Sequence, residues 1–295
     1  MLPVVILHWN RPERCVGTVA RFLDQDVDGG VRVVVVDNGS EPEAVAVVRK
    51  GLPGGVELLE LPRNRGFGPG ANVGFRHVLA HPEPGDVGWI GLAPHDAEPA
   101  PGCLARMLDV AGERPRAGLA CADFGDGATP IVDPYFGGIL APASVSDGWE
   151  PAGHPHGTLL LARRQMLEEV GLLDERYFAY CEEADLALRA LATGWETGLI
   201  RGAIVVNPDL GTRVSVIDYL QLRNTLLLVR EHSGRYHAAI RGLLAVGQLL
   251  AGLASPARRG PYWDPRARVQ ALVDHARGRY GAPPLWIQER QVRAS

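Results

Sequence analysis

The sequence predicts an α/β protein with a mainly parallel central sheet and helices on both faces. Three observations lead there. Through roughly the first 100 residues, short Val/Ile/Leu runs alternate with stretches of helical spacing. Those runs are apolar throughout rather than every second residue, as strands covered on both sides require. Turn-forming and chemistry-bearing residues cluster just after the runs, at the strand ends where open parallel sheets bind ligands.

The elements follow in order. "PVVILHW" reads as a buried first strand, and "RPERCVGTVARFLDQ" has helical spacing. "VRVVVVDNGS" is a second strand ending in turn residues, "EPEAVAVVRKGL" a helix and "VELLELP" a third strand. "GANVGFRHVLAH" is the next helix and "VGWIGLAP" a fourth strand. The stretch 113–157, rich in Gly, Pro and Asp, gives no clear element. After it, "GTLLLARRQMLEEVGLLDERYF" reads as a strand running into a helix, "CEEADLALRALATGW" as an amphipathic helix and "ETGLIRGAIVV" as a late strand. Residues 215–254 are helical with an interruption near "EHSGR", and a last helix is expected around 266–279. The expected organisation is one domain over 1–213 and a helical C-terminal extension over 214–295.

Composition excludes several classes. The 295 residues are 46% hydrophobic and 22% charged, enough for a sizeable core without disulfides. The net charge of −4 argues against nucleic acid as a partner. The four cysteines, Cys15, Cys103, Cys121 and Cys181, form no CxxC pair and read as reduced thiols. No basic stretch and cleavage site precede "MLPVVILHWN", so a cytoplasmic setting is expected.

Four loops carry the chemistry: "HWNRPE", "DNGS", "PRNRGFGPG" and "APHDAEP". The stretch "NRGFGPGANVGF" can be forced onto the dinucleotide-binding pattern, but it follows the third strand rather than the first, and Pro69 is awkward in that turn. A plain glycine-rich turn capping a helix is the simpler reading. The order of the loops decides between them. It resembles the family 2 glycosyltransferases of the GT-A fold, a Rossmann-like architecture, especially their rhamnosyltransferase-like branch. The resemblance runs from "VVILHWNRPE" to "QLRNTLLLVR".

The resemblance implies a site. The first-strand loop and the acid after the second strand would hold base and ribose, here His8, Trp9, Asn10, Arg11, Asp37 and Asn38. The glycine-rich element matches at Asn64, Gly66, Phe67, Gly70, Asn72 and Gly74, its glycines letting a nucleotide lie close to the backbone. The metal motif is reduced to Asp96, with His95 and Glu98 around it, and Asn207 stands where the family often has a metal-binding His. A divalent cation, Mg²⁺ or Mn²⁺, is therefore expected on Asp96 and Asn207, less tightly held than in the full motif. Arg11, Arg65 and Arg213 are candidate partners for a diphosphate. "FAYCEEADLALRA" resembles the catalytic signature, with Glu183 as the base that deprotonates the acceptor, Glu182 next to it and Asp185 orienting the helix start.

The expected function is transfer of a sugar, with inversion, from a UDP- or dTDP-linked donor to a hydroxyl on a saccharide, lipid-linked or natural-product acceptor. A non-catalytic sugar-nucleotide-binding protein and an NAD-dependent oxidoreductase are the rivals. His154 and His156 read as loop or acceptor contacts, and Trp149 equally as a sugar platform or a core residue. The apolar run Ile240–Ala254, too short to span a bilayer, reads as a packed helix or homodimer seam, with peripheral membrane contact as the alternative.

Overall fold

The computed structural model describes residues 1–207 and 213–290. In chain order the elements are β1 (Leu2–His8), α1 (Pro12–Leu23), β2 (Val31–Asp37), α2 (Pro42–Gly51), β3 (Glu57–Glu60), α3 (Phe67–Ala80), β4 (Trp89–Pro94), β5 (Glu98–Pro99) and α4 (Cys103–Gly112). Then come β6 (Ala117–Asp123), β7 (Ala128–Asp133), β8 (Gly137–Pro142), β9 (Gly148–Pro151), β10 (Leu160–Arg163), α5 (Arg164–Val170), α6 (Glu182–Ala192) and β11 (Glu196–Val206). Four helices follow: α7 (Val214–His232), α8 (Arg235–Ala254), α9 (Pro265–Ala276) and α10 (Leu285–Glu289).

These elements divide into two compact units. One comprises Met1–Ile131, Leu140–Asp174 and 183–207. The other holds 213–290 together with Val132–Ile139 and Glu175–Glu182, two stretches that the sequence places inside the first domain.

In the first unit a nine-stranded sheet runs β3-β2-β1-β4-β10-β6-β11-β5, with β9 paired to β11. Strands β3, β2, β1 and β4 are mutually parallel, and β10 enters antiparallel between β4 and β6. Both faces are buried with the strand period of two. Val4, Ile6, Val33 and Val35 join one core cluster, with Cys15, Val19 and Phe22 of α1 and Leu104 and Met107 of α4. Val5, Leu7, Val34 and Val36 join the other, with Phe75 and Val78 of α3 and Leu186 and Ala190 of α6.

The stretch without a sequence assignment is mostly strand: β6, β7, β8 and β9 all lie within it. Three of them, β6, β7 and β9, meet at one buried cation. Arg201 of β11 bonds Glu150 of β9, Asp123 of β6 at 3.0 Å, the Ala128 carbonyl at 2.9 Å and Thr129 at 2.7 Å. Burial pushes the Glu150 carboxyl up, but hydrogen bonds from Ser144, Thr129 and Arg201 outweigh it and bring its pKa down to about 2.

In the second unit, Asp264 caps α9 through the amides of Arg266 and Ala267, and its carboxylate also accepts from Ser215 at 2.7 Å. The Asn224 amide of α7 donates to three carbonyls, those of Tyr177, Ala179 and Tyr180, each at 2.8 Å. That loop needs such a clamp. Phe178, Tyr180 and Cys181 all hold positive φ, a conformation costly for side chains of this size.

Candidate functional site

The first unit sets its candidate residues along one edge of the sheet, the carboxyl ends of β2, β1 and β4. Its centre is His8, the last residue of β1, opposite Asp37, the last residue of β2. The His8 ring is fully buried, with Nδ1 2.8 Å from Asp37 Oδ2. Its Nε2 accepts the Arg11 backbone N–H at 3.1 Å, so in the neutral ring the proton sits on Nδ1 and is donated to Asp37. Burial pushes the Asp37 carboxyl up, but hydrogen bonds from His8 and Ser40 hold it below its ordinary value. Asp37 is thus an ionised acceptor with a fixed orientation, and His8 is the group that fixes it. Ser40, which sequence reasoning missed, donates its N–H to Asp37 Oδ1 and receives the Asn10 N–H on its hydroxyl. The signal was there: Ser three residues after Asp in "DNGS" is an Asx-type turn. Asn10 is itself left-handed, with φ 50°, and its side chain accepts the Glu41 N–H.

The glycine-rich stretch docks against this edge through Asn38. The Asn38 amide donates to Asn64 Oδ1 at 3.2 Å and to the Gly66 carbonyl at 3.0 Å, and its oxygen accepts the Arg65 N–H. Asn64 Oδ1 also accepts the Gly66 N–H at 2.8 Å. Helix α3 starts at Phe67, inside the stretch, because Gly66 turns the chain with φ 96°. Two glycines correct the expectation that they clear space for a ligand. A β-carbon at Gly70 would lie 2.7 Å from Leu7 Cδ1 and 3.2 Å from Asn38, and one at Gly74 would lie 2.3 Å from Val5 Cγ1. They let α3 press onto β1 and β2. Asn72 has a structural role: its buried side chain donates to the Leu173 carbonyl at 2.8 Å and accepts the Leu173 N–H, tying α3 to the segment after α5.

The β4 end joins the same edge. The His95 N–H donates to the Leu7 carbonyl beside His8, and the two imidazoles meet edge-on at 5.7 Å. Burial, then the field of His8, brings the His95 pKa down to about 4, so the ring is neutral at pH 7. Next to it, Asp96 Oδ1 is 3.3 Å from the Asn207 amide nitrogen. The two expected metal ligands, more than a hundred residues apart in sequence, therefore meet. Among the described residues no group of three or more His, Cys, Asp or Glu gathers as a metal cluster. One carboxylate and one amide suit a hard cation that takes most of its oxygens from elsewhere, as Mg²⁺ does on a diphosphate.

Glu183 completes the set. It lies in the first turn of α6, half-buried. A β-carbon added at Gly157 would lie 2.2 Å from Glu183 Oε1 and 3.2 Å from the Phe67 ring at the start of α3. Gly157 precedes β10, which runs antiparallel to β4, so it stands at the same edge. Burial pushes the Glu183 carboxyl up to about 6, against hydrogen bonds from its own and the Gly157 backbone. The neighbouring acids differ. Asp185 is bound at 2.8 Å by Arg189, which also donates to the Val170 and Leu172 carbonyls, so it braces the helix. Glu182 is buried.

Comparison with known proteins decides the family. The model for "Glycosyl transferase family 2" matches residues 4–171, more than half of the chain. The chain belongs to glycosyltransferase family 2. The transferase is 28% identical, over 83% of its own length and 89% of the relative's, to N-acetylglucosaminyl-diphospho-decaprenol L-rhamnosyltransferase from Mycobacterium tuberculosis. Its fold is the GT-A fold of solved transferases. The mannosyltransferase PcManGT of Pyrobaculum calidifontis, in complex with GDP-Man and Mn²⁺, matches 93% of the transferase and 86% of that chain, with a TM-score of 0.60 at 18% identity. GalNAc-T7, with UDP, GalNAc and Mn²⁺, matches 98% of the transferase and 56% of that chain, with a TM-score of 0.64 at 15% identity.

Other readings are settled by packing. Trp149 is buried in the core with Arg114 over its ring, so it is not a sugar platform. His156 stacks on Phe124 at 4.0 Å, and burial brings its pKa down to about 4. Arg213, in the second unit, donates to the Gln288 carbonyl, whereas Arg11 and Arg65 are exposed at the site's edge.

Proposed function

We propose that this transferase moves a deoxyhexose, rhamnose first among candidates, with inversion, from a dTDP- or UDP-linked donor to a hydroxyl of a lipid-linked saccharide. The observation that carries the proposal is the Glu183 carboxylate held against Gly157, at the strand edge that also bears Asp37, Asn64 and Asp96. The M. tuberculosis relative, named for rhamnosyl transfer to N-acetylglucosaminyl-diphospho-decaprenol, supports the donor and acceptor classes.

In this reading Asp37 accepts hydrogen bonds from the base or ribose, and Asn38 and Asn64 shape the loop around the nucleotide. The acceptor oxygen attacks the anomeric carbon as the bond to the diphosphate breaks, and its proton passes to Glu183. With a pKa of about 6, Glu183 is mostly ionised at pH 7 yet basic enough to take that proton. Asp96 and Asn207 would hold a divalent cation, which when bound offsets the charge gathering on the departing diphosphate. Arg11 and Arg65 offer further positive charge to the same group. The four cysteines are all free, in keeping with a cytoplasmic setting.

A thermal-shift panel of dTDP, UDP, GDP and their sugars, with and without Mn²⁺, tests the donor. A ligand at a hundred times its Kd stabilises by about 2.7 kcal/mol, an easily read shift. A shift with dTDP-rhamnose that grows with Mn²⁺ is expected. NAD is added as a control, and a shift with NAD but with none of the nucleotides or their sugars would refute the reading.

A further inference from the structure

In the second unit, α8 is built inside out. A helix on a soluble protein turns its leucines inward and its polar residues outward. Here Ala238, Ala245, Leu249 and Gly252 face the protein, and Gly252 packs so closely that a β-carbon there would lie 2.2 Å from the Trp263 ring. The large residues face out: Leu243 is 73% exposed, Leu250 61% and Leu253 55%, with Leu244 and Val246 beside them. Gln248 is the one polar side chain between Arg241 and Ser255. Leucines at this exposure on one helix form a contiguous apolar patch of the kind that soluble monomers rarely leave bare.

Charge identifies what covers it. Residues 233–263 contain four arginines, Arg235, Arg241, Arg258 and Arg259, and no Asp or Glu, in a chain whose net charge is −4. Arg235 opens α8, and Arg258 and Arg259 follow its end, so positive charge brackets the leucines. A second copy seated on this face about a two-fold axis would bring arginine toward arginine. An anionic lipid surface takes both features at once, leucines into the acyl boundary and guanidinium groups against phosphates. At 20 residues α8 is long and apolar enough to cross a bilayer, but its stripe of Ala238, Ala245, Leu249 and Gly252 packs against its own unit, which favours a helix lying on the surface.

We infer that α8 docks the protein, lying flat, on an anionic lipid bilayer through Leu243, Leu244, Val246, Leu250 and Leu253. The inference stands on the helix alone and needs no statement about sugar transfer, so its test uses no sugar.

The test is flotation of the full chain with vesicles of equimolar phosphatidylglycerol and phosphatidylcholine, and with phosphatidylcholine alone. The wild-type protein is expected to float with the anionic vesicles, with binding on the order of tenfold weaker to neutral ones. Leu243→Asn/Leu250→Asn should lower anionic-vesicle binding at least about tenfold, since each exposed leucine otherwise enters the acyl boundary. Arg235→Gln/Arg258→Gln should weaken it on the order of tenfold while leaving binding to neutral vesicles unchanged. Circular dichroism checks the fold of each variant, and Leu243→Asn alone, at the most exposed position, serves if the double variant unfolds. Wild-type protein that stays with the aqueous fraction would overturn the inference. So would leucine variants that float like the wild type, or light scattering that finds a dimer dissolved by Leu243→Asn.

Discussion

Gly157 and Glu183 share one space. The Glu183 Oε1 atom lies where a β-carbon on residue 157 would crowd it to 2.2 Å, so the carboxylate keeps its position only because residue 157 has no side chain. Gly157→Ala is therefore expected to displace Glu183 and lower kcat by about a hundredfold, the range attached to a misplaced proton acceptor. Nucleotide affinity should change by less than about threefold. Steady-state kinetics with nucleotide titration separates the two. An unchanged kcat would remove Gly157 from the account.

The same carboxylate sets a pH dependence. Glu183 must be ionised to accept a proton, and burial brings its pKa up to about 6 from an ordinary 4.5. The rate of the chemical step should rise with pH and reach half its plateau near pH 6. The folding linkage runs in the matching direction: between pH 4.5 and about 6 the folded chain holds a proton that the unfolded chain has lost, so Glu183 lowers stability as pH rises through that window. A kcat profile on the wild type and on Glu183→Gln checks the first statement, and chemical denaturation across the same pH range checks the second.

The Arg201 network makes an opposite prediction for acid. Glu150 is held at about 2 against an ordinary 4.5, so its contribution is full above pH 4.5 and is lost as pH falls toward 2. Arg201→Met leaves Glu150 and Asp123 buried without their cation and should cost about 3–5 kcal/mol. Urea denaturation at pH 7 measures that loss.

Glycines in α3 can be told apart by stability and binding. Gly74→Ala drives a methyl into Val5 and should destabilise by about 1–3 kcal/mol, with donor affinity unchanged in the folded fraction. If Gly74 instead made room for a ligand, affinity would fall and stability would not.

The legibility of the sequence follows the physics of each segment. Strands β1, β2 and β4 were readable because Val/Ile runs buried on both faces have few other uses. Strand β6 was not, because "AGLACAD" is poor in β-formers. Its small residues answer tertiary crowding: a β-carbon at Gly118 would lie 2.8 Å from Met166 and 3.1 Å from Trp195. The start of α3 was misplaced because glycines and a proline look like a turn, whereas Gly66 supplies the turn and the rest is already helix. In the site, Asp37, Asn38, Asn64, Asp96 and Glu183 could be named from motif order. The supporting roles of His8 and Asn72, and the part played by Gly157, could not. Each depends on a partner 26 to 101 residues away.

The central claim is that Glu183 accepts the acceptor's proton. Glu183→Gln keeps the shape of the side chain and removes its basicity. With dTDP-rhamnose and a lipid-linked N-acetylglucosamine acceptor, the account predicts loss of transfer by at least about a thousandfold, with nucleotide affinity within about threefold of wild type. Transfer by Glu183→Gln at a rate close to the wild type would contradict it.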